Sequence, residues 1–218
     1  MTRTAVVLLS KSPAVDNCKT RIAQVLTYQE ANRLQEALIH DILSHVLNSA
    51  HYDLWVSAPS RQSLEYFTRF TSRLLVQKGH DLGEKMQHLT EFFLAGDYQK
   101  VILIGSDMPL MTVSLLIPAI ESLDQHECVL GPALDGGYYL IGLRRILASV
   151  FSDIPWGSCT VLQNTMQVLE RCAASYGLLS PHRDVDTWSD VMAYAQHPFI
   201  ARHAPQFAEW LRLRCLVS

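Results

Sequence analysis

Short apolar runs alternating with longer amphipathic ones predict an α/β fold, Rossmann-like, with a mostly parallel central sheet flanked by helices. Three observations carry that prediction. Lys100–Ile104 (KVILI) reads as a central strand apolar on both faces, as a parallel sheet covered on two sides requires. Thr27 followed by Glu30 is a capping-box pattern, and Ala31, Leu34, Leu38, Ile42 and Val46 then recur at helical spacing. No linker, internal repeat or low-complexity segment divides the chain, so residues 1–218 are expected to form a single domain with a helical extension from about residue 198.

The elements follow in order. Ala5–Leu9 is a buried strand, and the helix capped by Thr27 comes next. Leu54–Ser57 is a second strand closed by Pro59, Gln62–Thr71 is helical, and Leu74–Gln77 is a third strand. Gly83–Leu94 is a helix with Met86, Leu89 and Phe93 inward, leading to the strand at Lys100. A turn at residues 105–109 precedes a helix from Val113 to Leu123, for which Thr112 is the expected N-cap. Cys128–Leu130 and Tyr138–Leu143 are strands separated by a loop, and a helix near Thr160–Ala174 follows. A short extended piece then leads through Asp184-Val185-Asp186-Thr187 into a further helix. The stretch Pro198–Leu213 is apolar at helical spacing (Phe199, Phe207, Trp210, Leu211); it is expected to cover the core, with a homodimer contact as the other role open to it.

Composition narrows the function. With 49% apolar and 18% charged residues the chain can bury a core, and its net charge of −3 argues against a nucleic-acid-binding domain, which needs clustered cations. No apolar run approaches the roughly 20 residues of a membrane span, and the start of the chain lacks a signal-peptide core, so a cytoplasmic location is expected. The cysteines at 18, 128, 159, 172 and 215 form no C-x-x-C pair and read as incidental thiols of a reducing compartment. The nine histidines show no H-x-x-x-H spacing.

In sheets of this type ligands bind beyond the carboxyl ends of the strands, and the unusual residues gather there. Lys11, Lys19 and Arg21 follow the first strand and can neutralise a diphosphate, although no P-loop glycines accompany them; a solvated basic loop is the alternative. In Gly105-Ser106-Asp107-Met108-Pro109, Gly105 would let a ligand approach the backbone, and Asp107 would emerge where a carboxylate can hold Mg²⁺. Asp135-Gly136-Gly137-Tyr138 lies between two strands: as a ligand loop, Asp135 would accept hydrogen bonds from a hydroxyl-rich molecule that the glycines let reach the backbone. A plain hairpin is the alternative. Asp184 and Asp186 are expected on opposite faces of an extended segment. Asp186 would then share a metal site with Asp107, while Asp184 caps a helix or binds backbone. A dehalogenase-type phosphatase is set aside, because its D-x-D follows the first strand.

The order K-x-P…K-T-R, G-x-D-L-G-x-x-M from Gly79 to Met86, G-S-D-x-P, L-G-P-A-x-D-G-G-Y-Y-L-I-G-L from Leu130 to Leu143, I-P-W and D-V-D-T-x-x-D resembles a bacterial family. It is the DUF2064 group of glycosyltransferase-A-like proteins, some associated with arsenosugar biosynthesis. These are similar to nucleotide-diphospho-sugar transferases and to nucleotidyltransferases such as the molybdopterin and phospholactate guanylyltransferases. The resemblance implies a nucleotide-activated donor and Mg²⁺ or Mn²⁺, with Lys11, Lys19 and Arg21 on phosphates. Gly83 and Lys85, with Gly105 and Ser106, would lie near the nucleotide, Asp107 and Asp186 would hold the metal, and Asp135, Gly136, Gly137 and Tyr138 would meet the acceptor or sugar. Two positions depart from the family pattern: Asp16 stands where Gly is usual, and Lys85 where Arg is usual. The expected reaction is transfer of a sugar from a nucleoside-diphosphate donor to a small-molecule acceptor, with Asp135 the candidate base. The alternatives are nucleotidyl transfer from an NTP with release of pyrophosphate, and a non-catalytic nucleotide-binding protein.

Overall fold

The computed structural model describes residues 3–214 and 216. Thr4–Leu9 (β1) lies between Asp53–Ala58 (β2) and Lys100–Gly105 (β4), parallel to both, with Leu74–Val76 (β3) parallel to β2 at one edge. On the other side Tyr138–Leu143 (β6) runs antiparallel to β4 and to Cys128–Pro132 (β5), and Tyr176–Leu178 (β7) pairs parallel with β5. The sheet order is β3-β2-β1-β4-β6-β5-β7. A single strand, β6, departs from parallel pairing: the loop at residues 133–137 is too short for a crossover, so it can only return the chain antiparallel.

Two apolar cores cover the faces of the sheet. Tyr28–Val46 (α1) and Val113–Gln125 (α4) close one face, and Leu82–Leu94 (α3) and Val161–Arg171 (α5) close the other. Met86, Leu89 and Phe93 are all buried, as their spacing predicts. The capping box forms: the Thr27 hydroxyl accepts from the Glu30 N–H at 3.2 Å, and a Glu30 carboxylate oxygen accepts from the Thr27 N–H at 3.1 Å. Such a cap contributes about 1 kcal/mol. The helix expected over residues 62–71 is instead a short α-helix, Arg61–Glu65 (α2), running into a 3₁₀ turn at Tyr66–Arg69. Thr112 occupies the N-cap position of α4, but its hydroxyl pairs with Ser114 Oγ at 2.8 Å and caps no backbone group.

A third core joins α1 to Trp188–Ala195 (α6), Ile200–His203 (α7) and Pro205–Arg212 (α8). Phe207, Trp210 and Leu211 are buried in it, so the C-terminal stretch serves as core; Phe199, expected inward, is 57% exposed. The buried Asp41 carboxylate on α1 accepts the N–H groups of Gln206 and Phe207 at 2.9 and 2.8 Å, capping α8 and fixing it to α1. Val185 is fully buried in this core. Cys18 and Cys128 are buried, Cys159 and Cys172 are exposed, and Cys215 lies outside the described residues. Among the described residues no helix is long and apolar enough to cross a membrane.

Candidate active site

The chain leaves β1 outward to β2 and β3 and returns through β4 on its other side, so the strand order reverses between β1 and β4. A crevice opens at such a point. The loop after β1 is pinned there by Asn32 of α1, whose amide donates to the Pro13 and Asp16 carbonyls (2.9 and 3.1 Å) and whose Oδ1 accepts the Cys18 N–H (3.0 Å). Asp16 takes the Ser12 N–H at 2.7 Å. This carboxylate thus occupies an N–H of the loop itself.

Lys19 has a left-handed backbone, φ 48°, unusual for a residue with a side chain. That conformation turns its side chain inward, to 3% exposure, and its Nζ donates to Asp107 Oδ1 at 2.5 Å and to the Val185 carbonyl at 2.6 Å. Arg21 pairs with Asp186 at 2.7 Å, and Lys11 donates to the Asn17 carbonyl at 3.2 Å. From α1, the buried Gln35 amide reaches Ser106 Oγ at 2.8 Å and Ser10 Oγ at 3.3 Å, tying the ends of β1 and β4 together.

Asp107 and the 184–186 segment are joined through their backbones, the Val185 N–H donating to the Asp107 carbonyl at 2.7 Å. With Val185 buried in the third core, its two neighbours both turn away from that core. This corrects the expectation that Asp184 and Asp186 face opposite ways: on an extended segment residues two apart share a face. Both feel the charges of Asp107, Asp135 and Lys19. The helix cap expected of Asp184 is made by Asp190, whose carboxylate accepts from the Thr187 N–H and hydroxyl (2.9 and 2.7 Å) and from Arg183 (2.9 Å). Burial, then the negative charges of Asp107 and Asp135, push the Asp184 carboxyl up to about 8. Its Oδ1 is buried and has no partner among the described residues. The Asp186 carboxyl is also raised, by burial and then by Asp107, against the opposing charges of Lys19 and Arg21.

These groups border an open cleft of about 420 Å³. Lys11, Lys19, Arg21, Lys85, Ser106, Asp107 and Asp186 line it, as do Gln35 and Gln77. Both carboxylates expected to hold a metal are thus paired with cations yet remain 41% and 36% exposed at the cleft wall. Among the described residues no three acidic, His or Cys side chains already stand in metal-ligating geometry; the Lys19 ammonium now sits against Asp107. The donor set nonetheless suits a hard cation. It consists of carboxylate oxygens alone, and one of them is buried without a partner. Asp184 and Gln35 are the residues that sequence reasoning missed. The i, i+2 spacing would have found Asp184; nothing in the sequence distinguishes Gln35 from other polar helix residues.

The remaining expected site residues lie elsewhere. Gly83 is packed under Trp156: an added Cβ would fall 2.5 Å from the Trp156 Nε1 and the Phe151 carbonyl. Its small size therefore serves helix packing, and it is Leu82 and Lys85 of the same turn that border the cleft. Gly105 ends β4 with open space where a side chain would stand. Gly136, at φ +92°, lies against the Cys159 carbonyl, and its own carbonyl accepts the Leu162 N–H at 2.9 Å. The Gly137 N–H donates to Asp135 Oδ1 at 2.9 Å. Tyr138 packs edge-on against Trp156, in the core with α3 and α5, its hydroxyl buried. The hairpin thus turns Gly136, Gly137 and Tyr138 to the protein rather than to the cleft, because the loop before α5 packs on it.

The family model "Uncharacterized protein conserved in bacteria (DUF2064)" matches residues 43–158, a little over half the chain. A crystal structure from Desulfovibrio desulfuricans G20, assigned provisionally as a nucleotide-diphospho-sugar transferase, is similar at 29% identity with a TM-score of 0.88, covering 99% of this chain and 97% of that one. The 2-phospho-L-lactate guanylyltransferase of Methanothermobacter thermautotrophicus is 24% identical over 90% of this chain and 86% of its own. Rv0371C of Mycobacterium tuberculosis H37Rv, in complex with manganese, shares the fold at 16% identity and a TM-score of 0.51, over 87% of this chain and 96% of its own. The chain therefore belongs to the DUF2064 family and carries the nucleotide-diphospho-sugar transferase fold.

Proposed function

We propose that the protein is a divalent-cation-dependent nucleotidyltransferase that joins the nucleoside monophosphate of an NTP to a small phosphorylated acceptor and releases pyrophosphate. The observation that carries this reading is the backbone pairing of Asp107 with Val185, which sets Asp107, Asp184 and Asp186 together opposite a cationic loop. Four cations border the cleft, two of them paired with Asp107 and Asp186, so a polyphosphate chain has cations to meet it. The likeness to a guanylyltransferase along most of the chain supports the same choice. This order reverses the expectation from sequence, which put sugar transfer first.

In the reaction an acceptor phosphate oxygen attacks the α-phosphorus of the NTP, the bond to the β-bridging oxygen breaks, and pyrophosphate departs with the electron pair. Lys11, Lys19, Arg21 and Lys85 offset the charge that gathers on the leaving group. Arg21 is held for that task by Asp186, and Lys19 by its left-handed backbone. Mg²⁺ or Mn²⁺, held by Asp107 and Asp186 with Asp184, would supply Lewis-acid polarisation of the phosphate oxygens. A phosphorylated acceptor is already ionised near neutral pH, so no side chain has to take its proton, and Asp135 is not required as a base.

Transfer of a sugar is the second reading, favoured by the likeness to the Desulfovibrio desulfuricans protein. One assay separates the two. The protein is incubated with Mn²⁺ and the four NTPs plus phosphorylated acceptors, or with nucleotide sugars, and both pyrophosphate and NDP are measured. Pyrophosphate that depends on acceptor supports nucleotidyl transfer. NDP release from nucleotide sugars without it would move the assignment to sugar transfer.

A further inference from the structure

We propose that Gln77 selects guanine nucleotides by presenting a locked carbonyl oxygen to the base. The proposal rests on the nucleotide-binding reading of the cleft and names the base it takes. The sheet order sets the C-terminal ends of β3, β2, β1 and β4 side by side, so Gln77, Pro59, Ser10 and Asp107 follow one another along the cleft. Three strand spacings separate the first from the last, about 14 Å. With phosphates beside Asp107, Lys19 and Arg21, the base falls toward the β2–β3 end, where Pro59 and Leu82 offer apolar surface.

Gln77 stands at that end. Its backbone N–H donates to the Ala58 carbonyl at 2.9 Å, and its Nε2 donates to the Ser57 carbonyl at 3.0 Å. Because that partner is a carbonyl, the amide cannot be reversed: nitrogen must face Ser57, and Oε1 must face away. Oε1 accepts no hydrogen bond among the described residues. Nearby donors are already taken up, the Ser10 N–H by the Ser57 carbonyl and the Ser10 hydroxyl by the Lys11 carbonyl, both at 3.0 Å; Pro59 has no N–H. Apart from the Lys85 ammonium, the wall therefore offers an acceptor and few donors. Guanine complements it with two adjacent donors, N1–H and N2–H₂, on one edge. Uracil shows carbonyls on either side of its single N–H, and adenine and cytosine set a ring-nitrogen acceptor beside their amino group.

The test is calorimetric titration of the protein with GTP, ATP, CTP, UTP and tripolyphosphate in Mg²⁺ without acceptor, repeated for Gln77→Glu and Gln77→Leu. The wild type is expected to prefer GTP by about tenfold, the worth of one satisfied buried hydrogen bond. Gln77→Glu, which keeps an acceptor but loses the N–H that fixes it on Ser57, weakens the preference without abolishing it. Gln77→Leu loses it and binds tripolyphosphate as the wild type does. Equal wild-type affinity for the four nucleotides, preference for another base, or an undiminished GTP preference in Gln77→Leu each overturns the proposal, and the wild-type ranking decides even if a variant misfolds. Tripolyphosphate separates the failures: tight binding of it without base preference removes only the role of Gln77, whereas binding of none of the five ligands removes the nucleotide reading as well.

Discussion

Two segments of this chain look alike on paper. Residues 184–190 and residues 130–139 each combine acids with small or aromatic residues between apolar runs, and each reads as a ligand loop. In the fold they diverge. The first is backed by Val185 in a core, which leaves Asp186 at the cleft wall and one Asp184 carboxylate oxygen buried without a partner. The second packs largely on the protein: Asp135 holds the Gly137 N–H, Gly136 lies against the Cys159 carbonyl and Tyr138 is half-buried, although the Asp135 charge still reaches Asp184 and Asp186. A conspicuous motif thus marks either a site or a tight piece of packing, and what separates them is whether its groups border the cleft or the protein's own core.

Substitutions in the two segments should therefore fail in different ways. The largest effect is expected for Asp186→Asn, a loss of about 10²-fold or more in kcat, together with loss of any Mn²⁺-induced rise in melting temperature. Asp135→Asn should cost less than about tenfold in the same steady-state assay, the range of a group that does not bear the developing charge. Equal losses would erase the distinction between the segments. Next comes Gly136→Ala, which combines a φ of +92° with a Cβ driven into the Cys159 backbone. Urea denaturation should show a loss on the order of 2 kcal/mol, with activity per folded molecule retained.

Asp184→Asn should act in the opposite sense on stability. The native carboxyl is raised to about 8 from 3.8, so between those values the folded state holds a proton that the unfolded chain does not. Stability of the cation-free protein therefore falls as pH rises from about 4 through 8. The Asn variant, with no such proton, should show a flatter profile and melt about 2–4 °C higher at pH 8, a gain near 1 kcal/mol read by calorimetry without added metal. The smallest effect is expected at Lys85, which borders the cleft. Lys85→Ala should weaken nucleotide binding about threefold, with the loss shrinking as salt rises.

Much of this was legible in the residues. The strands and the capped helix α1 follow from apolar runs and the Thr27–Glu30 spacing, and Lys11, Lys19, Arg21 and Asp107 follow β1 and β4, where the fold opens. What was not legible depends on long-range contacts. That Gly136 belongs to Cys159 and Gly83 to Trp156 is decided by loops distant in the chain. The break of the helix after Glu65 and the exposure of Phe199 likewise follow from tertiary packing rather than local pattern. Asp184 was within reach of the period-2 rule and was lost only by misplacing its face.

Val185 shares its core with Phe207 and Leu211 of α8, and the Asp41 carboxylate clamps α8 to α1. The acids of the cleft are thereby seated, through Val185, on the core that α8 helps to build. Shortening the chain ahead of residue 205 would loosen Asp184 and Asp186 from behind. A truncated form that lost cation-induced stabilisation would testify to a missing buttress, not to any chemistry in the tail.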